Sequence, residues 1–273
     1  MRPALLLTAA CVALAGCNEA SSPRPAPHAP AVARRHARHA APGRRSIRPP
    51  ATAGRPVYCG GHRPYAALTF DDGPGVYTRL ALRILRRAHV RATFFLVGRN
   101  LPRWSGLARA ETPTHLLANH TYTHPVLPAL SPAAASTEIS STTAAIRRET
   151  GVHVRLFRPP YGLRNPEIDA IARRQGLTEV LWNVDSGDSA GANYARIARN
   201  VEAGIGPGAI VLMHENHGQT IRALKFLILP SLRRRHIHLV TVSALLARDP
   251  PTAAQLRAGR AGCARRGARG TGG

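Results

Sequence analysis

Thr69-Phe70-Asp71-Asp72-Gly73-Pro74 closes an apolar run with two adjacent carboxylates just ahead of a turn. Two ionised carboxylates side by side repel, so the pair persists where a cation neutralises one, or where one keeps a proton and works as acid or base. Asp, Gly and Pro are also ordinary turn residues, and alone the six would mean a solvated turn. Their surroundings decide otherwise. From Tyr65 onward, short apolar runs alternate with amphipathic stretches, the pattern of βα units around a largely parallel sheet. Seven strands are expected, at residues 65–70, 92–97, 114–118, 154–157, 178–184, 209–213 and 237–242. Ser131-Pro132 opens a helix that Gly151 closes, and Asn165-Pro166 opens another that Gly176 closes. Leu80, Ile84 and Ala88 share one stripe of an earlier helix and read as core. No internal repeat is visible, and no dinucleotide-binding glycine pattern follows a strand. Polar motifs placed repeatedly after strands favour a distorted, incomplete (β/α)7 barrel over an open doubly wound sheet, with the chemistry on the loops that leave the strands.

The chain has 273 residues, 44% of them hydrophobic, enough for a substantial core. Its first residues, Met1-Arg2-Pro3, precede an apolar run over 4–15 that is too short for a mature transmembrane helix and reads as a signal for export. That run ends Leu14-Ala15-Gly16-Cys17, which resembles the lipobox of bacterial lipoproteins. The resemblance implies removal of residues 1–16 and a lipid anchor on Cys17, leaving the protein at the cell membrane and facing the cell wall or periplasm. Residues 17–57, rich in Pro, Ala and Arg, have almost nothing to pack and read as a disordered linker. The folded domain is expected over 58–247, followed by a basic flexible tail over 248–273. Cys59 and Cys263 flank that domain in an oxidising compartment, where a disulfide and two free thiols both remain open.

Lys and Arg number 38 against 14 Asp and Glu, a formal net charge of +24. Residues 18–57 hold eight Arg and one Glu, and residues 248–273 hold six Arg and one Asp. The domain itself has 23 basic and 12 acidic side chains, a net +11. Aromatic residues are only 5% of the chain, too few for interleaved stacking faces, so no nucleic-acid partner is expected. Attraction to an anionic cell envelope accounts for the excess more simply.

A second polar motif, Asn119-His120-Thr121-Tyr122-Thr123-His124-Pro125, follows the strand expected at 114–118. Imidazoles four apart can face one side of a helical turn, and neutral imidazole is a favoured ligand of zinc and related divalent ions. With one carboxylate, here Asp72, two His make a metal site that keeps positions open for water and substrate.

Further along stand Arg158-Pro159-Pro160-Tyr161, Asp185-Ser186-Gly187-Asp188 and Leu212-Met213-His214. Five motifs in this order, within residues 65–246, resemble the polysaccharide deacetylases with the NodB homology domain, carbohydrate esterase family four. The resemblance implies that Asp72, His120 and His124 hold a divalent metal ion, zinc by preference, with cobalt or another divalent ion acceptable to the same donors. It implies that Asp71 is the general base, aimed by Arg158, and that His214 is the general acid, supported by Asp188. The backbone N–H of Tyr161 would meet the oxyanion, and Leu212 would wall the acetyl pocket. The implied activity is hydrolysis of N-acetyl groups on an acetylated polysaccharide, peptidoglycan first, with chitin or xylan as alternatives. A wall-tethered glycan-binding protein without turnover is the competing expectation. Its support is Ser189, which stands where the family's fourth motif places Trp and implies a wider or wetter pocket. Glu215, where Asp is more usual, is expected to matter little.

Overall fold

Strand β1 (Tyr65–Gly73) is the longest strand of the computed structural model, which describes Thr52 and residues 54–263. Around it lie β2 (Thr93–Leu96), β3 (Leu116–Asn119), β4 (Leu156–Phe157), β5 (Thr178–Glu179), β6 (Val184–Asp185), β7 (Ile210–His214) and β8 (His238–Leu239). The strand order is β5-β4-β3-β2-β1-β7-β6, every pair parallel, and β8 adds to the first two residues of β1. This is the curled, incomplete (β/α)7 barrel expected from the alternating pattern.

Strand periodicity assigns each residue to a layer. Ala66, Leu68 and Phe70 of β1, with Phe94, Leu96 and Leu117, pack outward in the cluster shared with the surrounding helices. Ala67, Phe95, Ala118, Leu156 and Val180 form a second cluster on the inner side. Thr69 and Asp71 fall on that inner alternation, so the sheet itself sends Asp71 into the barrel. The helices obey their punctuation. In Pro132–Thr150 the Ser131 side chain accepts from Ala134 N–H and Gly151 ends the helix at φ 72°. In Pro166–Arg174 the Asn165 side chain accepts from Ile168 N–H.

Within the domain the structure differs from the sequence reading in three places. The strand expected over 178–184 is two short strands at opposite ends of the sheet: Val180 N–H still donates to Phe157 C=O, whereas Asn183 N–H donates to Ile210 C=O. One apolar run thus links both ends of a curled sheet. Val242, assigned to the last strand, instead starts the helix Val242–Arg248, because Thr241 caps it by accepting from Ala244 N–H. In the helix Thr78–Arg87 the buried face is Ala81, Leu82, Ile84 and Leu85, and Leu80 is exposed.

Both domain boundaries also move outward. Val57 is fully buried, donating to Glu179 C=O (2.9 Å) and accepting from Leu181 N–H (2.7 Å). Beyond 247 the chain is ordered as far as it is described: Asp249 accepts from the N–H groups of His62 and Arg63, and a capping box between Thr252 and Gln255 starts the helix Ala253–Ala258. Cys59 and Cys263 form a disulfide across 204 residues, which settles the alternative the sequence left open. The expected flexible tail is therefore domain over 248–263, pinned by Asp249 and the disulfide. The signal segment, Cys17, most of the expected linker and residues 264–273 lie outside the described residues.

Candidate active site

Each motif lies at the carboxyl end of a strand, so five loops converge on one rim. At its centre is Asp71, 2% exposed and in register beside His214 of β7. Arg158, fully buried just after β4, donates from Nη1 to Asp71 Oδ1 (2.7 Å) and Thr69 Oγ1 (2.9 Å). Its Nε and Nη2 donate to the carbonyls of Val180 (3.0 Å) and Leu181 (3.1 Å), and its guanidinium lies 4.0 Å from the centre of the Phe95 ring. A planar fork held at this many points has one orientation, which fixes the carboxylate it touches. Burial pushes the Asp71 carboxyl up from its ordinary range, while the charges of Arg158 and then His214 pull it back.

Asp72 would follow the alternation outward, but it sits at φ 69° and turns onto the rim. The next residue is glycine, and a Cβ there would fall 1.4 Å from Glu215 Oε1, so any side chain at 73 has to displace the buried Glu215 carboxyl. His120 and His124 do not share a helical turn as the spacing suggested. They lie on an irregular loop after β3, with Thr121 and His124 at φ 65°. Glu138, on the helix Pro132–Thr150, holds that loop by accepting from the N–H groups of Tyr122 and Thr123, both at 2.8 Å. The result is the intended convergence by another route. Asp72 Oδ1 lies 3.6 Å from His120 Nε2 and 3.3 Å from His124 Nε2.

These three donors fit a divalent ion. Asp72 Oδ1 is buried and has no hydrogen-bond partner, an orphan expected where a cation belongs. Ligand atoms of Asp72, His120 and His124 all lie within 4.8 Å of one another. His120 Nδ1 bonds the Arg158 carbonyl at 2.7 Å, which leaves the Nε2 lone pair facing the site. Burial lowers the His120 pKa to about 3, with the Asp72 charge working against it, so the ring stays neutral as ligation requires.

Across the rim, Asp188 Oδ1 meets His214 Nδ1 at 2.8 Å, while Oδ2 accepts from His214 N–H (2.7 Å) and Thr220 Oγ1 (2.6 Å). Burial alone would lower the His214 pKa, yet the Asp188 hydrogen bond and charge raise it to about 9. Burial likewise works upward on Asp188, and its bonds to His214 and Thr220 bring it down to about 2. Leu212 is buried on β7 two residues before His214. Tyr161 is exposed at φ 61°, its ring 4.7 Å from that of His124. All nine residues singled out by motif therefore reach the same rim or its immediate support.

Several supports had no role in the sequence reading. Thr69, the first residue of the opening motif, is one: it is the inward residue two before Asp71 and accepts from Arg158 Nη1. Thr220 and Glu138 are others, and no local spacing announces either. Trp182 is a third kind: it packs under Gly162, where a Cβ would meet its ring at 2.9 Å, and lies 5.6 Å from the Arg158 guanidinium. Ser189 is exposed beside Asp188, so the apolar wall near the Tyr161 turn comes from Trp182. Glu215 is fully buried against Gly73 and accepts a hydrogen bond from the Thr78 hydroxyl; burial raises its pKa to about 8. It matters more to the turn than the sequence reading allowed.

The polysaccharide deacetylase family model matches residues 60–180. A chitooligosaccharide deacetylase of Bradyrhizobium sp. (strain ANU 289) is 38% identical over 185 residues, covering 62% of this chain and 84% of that protein. A peptidoglycan-N-acetylglucosamine deacetylase of Listeria monocytogenes is 35% identical over 181 residues; the match covers 66% of this chain but only 38% of that longer protein. Among solved structures, the Bc1960 peptidoglycan N-acetylglucosamine deacetylase superposes with a TM-score of 0.67 at 30% identity, over 70% of this chain and 92% of that one. The chain belongs to the polysaccharide deacetylase family. It is a metal-dependent hydrolase by class, with an Asp/His/His group able to hold a divalent ion.

Proposed function

We propose that this enzyme removes N-acetyl groups from an N-acetylglucosamine-containing glycan of the cell envelope, with peptidoglycan as its substrate and zinc as its metal. One observation carries the reading: a carboxylate fixed by a buried arginine stands beside an Asp/His/His group and opposite a cationic imidazole. A divalent ion held by Asp72, His120 and His124 would supply Lewis-acid polarisation of the acetyl carbonyl and acidify a nearby water.

The chain's own residues do the rest. Asp71, aimed by Arg158, takes a proton from the attacking water. The backbone N–H of Tyr161 is the donor offered to the developing oxyanion, and Leu212 with Trp182 gives the acetyl methyl apolar surroundings. The amide carbon–nitrogen bond breaks as His214 gives its proton to the leaving amine, so that acetate and a free amino sugar result. Asp188 keeps His214 charged for that step. Because base, arginine, acid and metal donors are all assembled, turnover is favoured over a binding-only role.

Export and anchorage through Cys17 complete the proposal, since they put the enzyme beside its polymer. Incorporation of labelled palmitate that Cys17→Ser abolishes is the outcome expected; a protein that takes up no label defeats the anchor but not the activity. For the activity, a panel of acetylated glycans is incubated with the protein and each product weighed. Peptidoglycan fragments should lose acetyl groups of about 42 Da each, and a chelator should stop the loss. Acetate release that persists unchanged after chelation and metal depletion would falsify the assignment.

A further inference from the structure

At the opposite end of the barrel, a cavity of about 490 Å³ opens beside the amino ends of β1 and β8. Its floor is apolar, from Val90, Leu229, Leu232 and Ile237, and its rim holds His89, Arg233, His238 and Arg248. Among the described residues, no carboxylate lines it. Exposed cations continue outward on both sides: Arg86 and Arg87 end one helix, and Arg233-Arg234-Arg235-His236 form an unbroken exposed run. Arginine in a last helical turn complements the helix dipole, which is reason enough for one or two of them. It does not explain the run. The guanidinium groups of Arg233 and Arg234 have no hydrogen-bond or ion-pair partner among the described residues, so this charge is unneutralised.

We propose that this basal face docks on an anionic lipid surface, its arginines meeting phosphate head groups and its apolar floor facing the acyl boundary. The occupant follows from the combination. A soluble phosphate polymer would use the cations but gain nothing from an apolar floor, whereas an anionic bilayer offers both kinds of surface. Asp71 and His214 lie at the other ends of the strands, so a docked enzyme turns its catalytic rim away from the lipid and toward whatever lies beyond it. Docking of this face does not depend on what the rim catalyses.

The test is vesicle co-sedimentation of the full chain carrying Cys17→Ser, so that no acyl group contributes. Binding to phosphatidylglycerol/phosphatidylcholine vesicles is expected to exceed binding to phosphatidylcholine alone by at least about tenfold in low salt. Arg233→Glu/Arg234→Glu should lower that binding at least about tenfold, and Arg147→Glu/Arg148→Glu, with the same charge change elsewhere, less than about threefold. Acetate release from a soluble chitooligosaccharide should be unchanged in both. An equal fall in the two variants, or none in the first, overturns the proposal. So does capture by soluble poly(glycerol phosphate) with no vesicle binding. If the glutamate variant fails to fold, Arg233→Gln/Arg234→Gln takes its place in the same comparison, and unchanged vesicle binding there overturns the proposal equally.

Discussion

Two carboxylate–cation pairs flank the reaction centre and differ in the cation. On the β4 side Asp71 meets Arg158, a charge that no accessible pH removes, held by two carbonyls, a hydroxyl and an aromatic face. On the β7 side Asp188 meets His214, the group proposed to give its proton to the leaving amine. The first pair stores orientation and the second stores a proton. Burial acts on both, yet it makes Arg158–Asp71 rigid and leaves His214–Asp188 titratable, with pKa values of about 9 and about 2.

The strongest way to break this contrast is Asp71→Asn, which keeps the hydrogen bond to Arg158 but removes the base. Acetate release should fall by about 10⁴-fold, while metal content measured by mass spectrometry stays near one per chain. Loss of metal instead would mean that Asp71 is a ligand. Arg158→Lys comes next. Lysine cannot reach all of the fork's acceptors, and leaving Asp71 under-compensated should cost about 3–5 kcal/mol of stability, read from denaturant unfolding, with turnover lost in proportion to the displaced base.

Asp188→Asn should be milder and should show in the pH profile. His214 is protonated below its raised pKa of about 9, so activity in the native enzyme should hold through neutral pH and fall as pH rises through that value. Without the Asp188 charge the alkaline limb should move toward neutrality, with a loss of about tenfold at pH 8 and less at pH 6. A limb that stays in place would remove Asp188 from the proton's control. The same shift makes a stability statement. The raised His214 pKa stabilises the fold fully below the ordinary histidine value and loses that contribution as pH rises through about 9. The smallest effect is expected from Ser189→Trp: a KM lowered about threefold with kcat nearly unchanged, as added apolar surface at the rim binds ground and transition states alike. A large change in kcat would mean that Trp182 does not already supply the wall.

Much of this was legible because strand periodicity and chemistry agree. The alternation of apolar runs with amphipathic stretches put Asp71 at the end of the first strand, and the cap residues Ser131 and Asn165 fixed two helix starts. What escaped was set by long-range contact. The run over 178–184 looked like one strand, because nothing local says that its halves pair with different neighbours. The His120–His124 spacing fitted a helix, yet Glu138 holds the loop in a form that only distant side chains dictate. Leu80 looked like core by spacing alone, and the packing partner of its helix decided otherwise.

Val57 has a last consequence. It covers the free edge of β5, satisfying the Glu179 carbonyl and the Leu181 N–H, and these two residues bracket Val180, whose carbonyl receives Arg158. A protein trimmed to begin at Tyr58 would expose a short strand edge, the kind of surface on which chains join into aggregates. It would also slacken the backbone that anchors the arginine. A residue outside every motif thus sets where the gene can be cut, and the penalty for cutting late would be read first as poor solubility rather than as poor catalysis.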